Sequence, residues 1–376
     1  MDRFSSARIN RPPWRTILVV SVIALAVILM VFPPPADFVE RYYSRGLYPK
    51  IQAIFTPVTN HIPFAVVDGL LVALAVGLPA WWVMRIRSAG RGRRGRAALV
   101  MLFNMLALAA ALSLSFQFLW GFNYFREPLV EKIEFDESRL NSESLKQVYR
   151  ASVEGLNRES GEARAGGWLA ENEWSEGLDE SFNAVLMELG NRRAIPTGVP
   201  KSSLLNLYLG AAGVDGFTNP YGHEVILVSE LLPFEKPFTL AHEWAHLAGF
   251  ADESEASFVA LLACLRSDLP AVRYSGWLAL FMHTHWPAPP DQNNGQAAEP
   301  PPRLSPEVIA DLKAIQERDL SQRIELVSEV QGQFYDGFLK ANRVEAGIAS
   351  YGLLVRLVMG ARFERAWVPA LRADSQ

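Results

Sequence analysis

A mainly α-helical chain is predicted, with three transmembrane helices near the N-terminus followed by an extracytoplasmic α+β domain. Three observations predict it. Apolar residues concentrate in three long runs before residue 121, arginines alternate in density between those runs, and the remaining two thirds carry charged, helix-spaced segments with short β-branched clusters among turn residues. Overall numbers decide little: 376 residues, a net charge of -4 and a hydrophobic share of 50% suit a soluble or a membrane protein equally.

Residues 1–15 form a basic N-terminus with Arg3, Arg8, Arg11 and Arg15, and residues 16–32 follow without a charge, just long enough to cross a bilayer. The Phe32-Pro33-Pro34-Pro35-Ala36-Asp37 sequence lacks the small-x-small pattern of a cleavage site, so an uncleaved span is expected rather than a signal peptide. Residues 63–84 make a second span broken only by Asp68, with Trp81 and Trp82 suited to an interfacial belt, and residues 97–120 make a third. The connection between the second and third carries Arg85, Arg87, Arg91, Arg93, Arg94 and Arg96, whereas residues 33–62 hold only Arg41, Arg45 and Lys50. By the positive-inside rule the N-terminus is cytoplasmic, and the chain after about residue 121 lies outside the bacterial inner membrane. The membrane region is therefore set at 16–126 and the outer domain at 127–376. Arginines squeezed between apolar spans read as a topology signal, so no nucleic-acid partner is expected.

In the outer domain, residues 134–194 read as two solvated helices, with Leu140, Leu145, Val148, Tyr149, Val153 and Leu156 on one face and Phe182, Val185, Leu186 and Leu189 following. Apolar and β-branched clusters at 204–210 and 222–229 suggest one or two strands. Next comes Pro237-Phe-Thr-Leu-Ala-His-Glu-Trp-Ala-His-Leu-Ala-Gly-Phe250, where Pro237 suits a first helical turn and Gly249 the left-handed position that ends a helix. On that helix His242 and His246 share a face, both able to reach one metal ion, while Glu243 projects to where a metal-activated water would sit; this is the pattern of a zincin active site. Two histidines and a glutamate buried unpaired would be costly, which argues against an ordinary amphipathic helix. A run of charge-free residues of bilayer length is lacking around the motif, so the site is not intramembrane.

A catalytic zinc needs a third protein ligand, and Asp252, Glu253 and Glu255 crowd the next stretch. Asp252 fits a His-Glu-x-x-His-x-x-Gly-x-x-Asp spacing, while Glu253 opens Glu-x-x-Ala-Ser, similar to the second-helix motif of gluzincin peptidases. Asp252 followed by Glu255 also reads as a capping box for a helix running to about Leu265, which gives those two acids structural work. Glu253 is then the expected ligand, with Asp252 and Glu255 as the alternatives. The lone Cys264 excludes an intramolecular disulfide and reads as a packed core residue. Tyr221, His223 and Tyr351 are candidate oxyanion donors, although Asn219-Pro-Tyr-Gly222 is also an ordinary turn. His283 and His285 mark the end of an apolar element before a Pro-rich loop at 286–305, after which residues 306–342 are helix-like.

Trp120-Gly-Phe-Asn-Tyr-Phe-Arg126, the Pro237–Phe250 run, Glu253-Ser-Glu-Ala-Ser-Phe258 and Gly347-Ile-Ala-Ser-Tyr-Gly352 together resemble a bacterial membrane family of unknown function, the DUF3810 type, from the first spans to about Arg365. The resemblance implies a zincin-like domain similar to gluzincin metallopeptidases. Ser257 stands where that family commonly has asparagine and where gluzincins place an aspartate against a ligand histidine. The expected activity is hydrolysis of a peptide or protein by a membrane-anchored zinc (Zn2+) metallopeptidase. His242, His246 and Glu253 would be the metal ligands and Glu243 the general base, with membrane lipid as the other partner. The rival expectations are a non-catalytic membrane protein using the metal helix as a structural or partner-binding element, and a zinc hydrolase of another cell-envelope amide.

Overall fold

The computed structural model describes residues 13–165, 167–287, 299–342, 344 and 353–372. Helix dominates, and strand is confined to a few short pieces. Most of the Pro-rich loop and the Gly347–Gly352 motif lie outside the described residues.

The membrane-proximal part begins with α1 (Pro13–Val31), which stops at Pro33-Pro34-Pro35, where missing N–H donors prevent helix continuation. A 3-residue helix and a π-helical stretch, Val39–Leu47, then lead into α2 (Tyr48–Asn60). Among the described residues, two helices are long and apolar enough to cross a membrane, α3 (Val66–Ser88) and α4 (Arg94–Leu119). The first expected span differs: it qualifies only as a bent pair, Thr16–Val31 with Ala36–Asn60, turned by 112° at the prolines. Asp68 does not interrupt the second span, because it lies in the first turn of α3. There its carboxylate accepts from the Ser203 hydroxyl and, at 3.0 Å, from the Leu204 N–H.

Residues 134–194 do form two helices, α5 (Ser142–Arg164) and α6 (Glu171–Glu188), but they are not merely solvated. α6 buries Trp174, Leu178, Phe182, Val185 and Leu186 in the main core. α5 packs closely on α10 (Pro270–His283), and a Cβ on Gly155 would lie 2.3 Å from the Trp277 ring. The sheet holds β1 (Pro200–Lys201), β2 (Gly216–Asn219) and β3 (Glu224–Leu227) in the order β1-β3-β2, with β1 parallel and β2 antiparallel to β3. The strand expected at 222–229 is β3, but the one expected at 204–210 is instead a helix, α7 (Asn206–Ala212). Leu205, Leu209 and Ala212 keep helical spacing, and Gly213 ends the element at φ +72. A short run apolar on both faces does not distinguish helix from strand by period alone.

At the centre lie α8 (Lys236–Leu247) and α9 (Glu253–Leu265). Every residue of α9 is buried, as expected of a helix apolar nearly all round, with α8, α6, α10 and the later α13 (Leu354–Gly360) packed about it. Residues 306–342 give α11 (Pro306–Gln322) and α12 (Glu325–Ala341). Glu224 bolts the sheet to the membrane-proximal part. Its carboxylate accepts from the Val66 and Val67 N–H groups at 2.9 Å each, capping the start of α3, and also holds Lys201 Nζ at 3.0 Å.

Candidate metal centre

The helix carrying both histidines begins with Pro237 in its first turn and ends before Gly249, which is at φ +89 and has Asn123 and Tyr48 where a Cβ would point. One face of α8 is core: Trp244 packs on Phe182 and its indole N–H donates to Gly198 O at 2.8 Å. The C-terminal carbonyls, which a helix leaves without partners, are filled by side chains from the membrane-proximal segment. Trp120 Nε1 donates to His246 O at 2.8 Å, the Tyr48 hydroxyl to Leu247 O at 2.8 Å, and Arg126 Nη1 to Gly249 O at 2.9 Å. Arg126 is held in turn by the buried Glu40 carboxylate. Residues 33–62 and 120–126 are thus part of the framework of this helix rather than a passive connection to it.

Three donor atoms converge. Glu253 Oε2 lies 3.1 Å from His242 Nε2 and 3.3 Å from His246 Nε2, and the two Nε2 atoms are 3.1 Å apart. Three ligands each about 2.0–2.1 Å from one tetrahedral ion would be separated by about 3.4 Å, so the triangle fits a zinc ion with little adjustment, and two histidines with a glutamate form a known catalytic zinc set. The outward ring nitrogens are also occupied. His246 Nδ1–H donates to Phe250 O at 2.7 Å, which leaves Nε2 as the ring nitrogen that faces the cluster, and His242 Nδ1 meets Ser257 Oγ at 3.1 Å. The second Glu253 oxygen, Oε1, accepts from the Tyr335 hydroxyl on α12.

Glu243 stands beside this triangle. Its Oε2 accepts from the Thr218 hydroxyl of β2 at 2.6 Å, and its Oε1 is so near the strand backbone that a Cβ on Gly216 would lie 2.6 Å away. Asp252 is the N-cap of α9, accepting from Ser254 N–H at 2.8 Å and Glu255 N–H at 3.2 Å. Glu255 does not close the expected capping box; its carboxylate accepts from the Leu129 N–H instead, across the core. Neither acid belongs to the cluster.

Electrostatics follow from burial and pairing. Burial disfavours the charged His246 ring, but the Glu253 carboxylate outweighs it and raises its pKa to about 9. Burial likewise works against the Glu253 carboxylate, and the two histidines outweigh it, holding it well below the usual range. For Glu243 burial prevails over the nearby histidines and Thr218, so its pKa is raised. Glu255 is pushed up to about 7 by burial and by Asp252.

Other expected site residues lie elsewhere. The Tyr221 hydroxyl donates to Leu112 O at 3.2 Å, and the His223 ring is buried between Tyr48 and Phe55, so neither is positioned as an oxyanion donor. His283 ends α10, donating from Nδ1 to Ala279 O at 2.7 Å, and His285 is exposed. Cys264 is wholly buried, and burial pushes its thiol pKa up. Tyr351 is outside the described residues. Thr218 and Tyr335, which the sequence reading missed, sit 25 and 82 residues from the acids they contact, and no local pattern marks them.

The family model described as "Protein of unknown function (DUF3810)" matches residues 43–359. The chain belongs to this family. No curated protein and no solved structure matches it. The matched region takes in α3 and α4, the sheet, the three-donor cluster and α12, so the DUF3810 match covers the membrane-proximal frame together with the site it supports.

Proposed function

We propose that the protein is a membrane-anchored zinc metallopeptidase with a zincin-like, gluzincin-type site, in which His242, His246 and Glu253 hold the metal. The observation that carries this reading is the convergence of two Nε2 atoms and one carboxylate oxygen within 3.1–3.3 Å of one another, with Glu243 alongside. The third donor comes from a second helix, as in the gluzincin arrangement. When bound, a zinc ion supplies a Lewis acid and makes water nucleophilic near neutral pH.

The chain's own residues do the rest. Glu243 takes the proton of the attacking water and delivers it to the leaving amine; its raised pKa suits a group that must both accept and return a proton. Thr218 fixes one Glu243 oxygen, and Gly216 lets the strand approach the other. Tyr335 holds Oε1 of Glu253, which leaves Oε2 aimed at the histidines. β2 is an edge strand of its sheet, its outer edge unpaired among the described residues, and it runs beside Glu243. An extended peptide adding to that edge would lay its backbone along the cluster. The arginine asymmetry orients the chain with a cytoplasmic N-terminus and residues 127–376 outside the inner membrane.

The test is metal analysis and peptide hydrolysis on the full chain purified in detergent. One zinc per chain and hydrolysis of a mixed peptide set are expected. Glu243→Gln should retain zinc and lose hydrolysis. Absence of stoichiometric zinc overturns the metallopeptidase reading, and retained hydrolysis in Glu243→Gln overturns its role as base.

A further inference from the structure

Beyond residue 126, large exposed apolar side chains concentrate, among the described residues, on two helices and their immediate ends. Leu204, Leu207 and Tyr208 line the outer side of α7, with Leu207 84% exposed; Leu326, Val330 and Phe334 line α12, with Phe334 73% exposed. The α12 residues are spaced i, i+4, i+8, which makes one stripe along the helix, and the exposed Gly337 continues the same arc without a protruding side chain. Glu325, Glu329 and Lys340 border the stripe on one flank. The two helices are joined. Ile324 N–H donates to Ala211 O at 2.9 Å and the Tyr208 hydroxyl bonds Gln331, so the two stripes form one surface. A soluble face would not leave so many large apolar side chains together without a cover.

The position of this surface identifies the cover. At one end, Ser203 and Leu204 are bound to Asp68 in the first turn of α3. At the other, Phe338 of α12 packs against Phe116, near the end of α4, with ring centroids 5.9 Å apart, and against Tyr124 at 5.9 Å. α3 and α4 are joined by the short connection 89–93 and touch each other, so the first turn of α3 and the last turns of α4 are the two ends away from that connection, and the exposed stripes lie beside both of them. We propose that the outer face of α7 and α12 rests on the bilayer, its large apolar side chains among the lipid acyl chains and its charged flank in the headgroup layer. This rests on the membrane-spanning reading of α3 and α4. Because α12 also carries Tyr335, the element held by lipid is the one that covers Glu253.

Depth-dependent quenching tests it. The only cysteine, Cys264, is wholly buried, so single cysteines can be placed at Leu207, Val330 and Phe334 in a Cys264→Ala background, or with Cys264 retained if that variant does not express. Each is labelled with a nitrobenzoxadiazole fluorophore in the full chain and reconstituted into phosphatidylcholine–phosphatidylglycerol vesicles with and without doxyl-labelled phospholipid. Leu102, exposed on α4, serves as the span reference and Glu143 as the aqueous reference. Loss of most fluorescence at Leu207, Val330 and Phe334, matching Leu102, with none at Glu143, is the expected result. Quenching at Leu102 but not at the three test sites overturns the docked surface and leaves the spans standing. Absence of quenching at Leu102 overturns both. Unquenched labels at Val330, together with disulfide cross-linking between chains of the unlabelled Val330→Cys protein under an added oxidant, show a second copy as the cover and overturn the proposal.

Discussion

Gly216→Ala offers a narrow test of how Glu243 is held. Gly216 lies on β2 without a positive φ, so alanine meets no backbone penalty there. Its Cβ would, however, lie 2.6 Å from Glu243 Oε1, 3.0 Å from Cγ and 3.1 Å from Cδ, against 3.4 Å for ordinary contact. The carboxylate must therefore withdraw by about 0.8 Å. Such a retreat stretches the 2.6 Å bond from Thr218 beyond the usual hydrogen-bond range and turns a nearly fully buried side chain off its rotamer, at roughly 0.5–1.5 kcal/mol. A catalytic group misplaced by about 1 Å loses about 100-fold in rate, equivalent to about 2.7 kcal/mol. The three atoms nearest the new methyl all belong to Glu243, so zinc content should equal wild type while kcat on a fluorogenic peptide falls about 100-fold. The melting temperature should move by only a few degrees. Wild-type kcat in Gly216→Ala would show that the contact between β2 and Glu243 has no bearing on catalysis, and loss of zinc would show that the strand supports the ligands rather than the base.

Three further outcomes are expected. Ser257→Ala removes the oxygen beside His242 Nδ1, and zinc affinity, measured by competition with a chromogenic chelator, should fall about 10–100-fold; unchanged affinity would mean that the ring is oriented without it. Asp252→Ala deletes the N-cap of α9 and should lower stability by about 1 kcal/mol in denaturant unfolding while zinc stays bound; loss of the metal at full stability would make Asp252 a ligand after all. The His223 ring is buried without a hydrogen-bond partner on either nitrogen among the described residues, and burial lowers its pKa to about 4. The unfolded chain protonates this ring below about 6.5 and the folded chain does not, so its contribution is neutral above that pH and destabilising as pH falls towards 4. At about 1.36 kcal/mol per pH unit, the ceiling is about 3 kcal/mol. His223→Phe should therefore flatten the fall of melting temperature between pH 6.5 and 4, and an unaltered pH profile would refute the buried neutral ring.

Several features were legible in the sequence because they depend on neighbours within one or two helical turns. Pro237 and Gly249 bound α8, the four-residue spacing puts both histidines on one face, Asp252 caps α9, and long apolar runs mark α3 and α4. Where the local signal was ambiguous it misled: the 204–210 run reads equally as strand or helix, and the bend at Pro33–Pro35 is visible only once the helices on each side are placed. The sequence put Glu253 first among three acids, and the tertiary structure shows which of them meets the histidines. Glu253 and Glu255 are both in the first turn of α9, but residues two apart on a helix face different directions, so packing on α8 turns Glu253 towards the rings and Glu255 towards Leu129. It also supplied Thr218 and Tyr335, and tied Tyr48, Trp120 and Arg126 to the end of α8, across 25 to 199 residues of chain. Capping and periodicity act over a few residues and are written locally, whereas a buried polar group takes whatever partner the close-packed core brings within about 3 Å, and that depends on every helix at once.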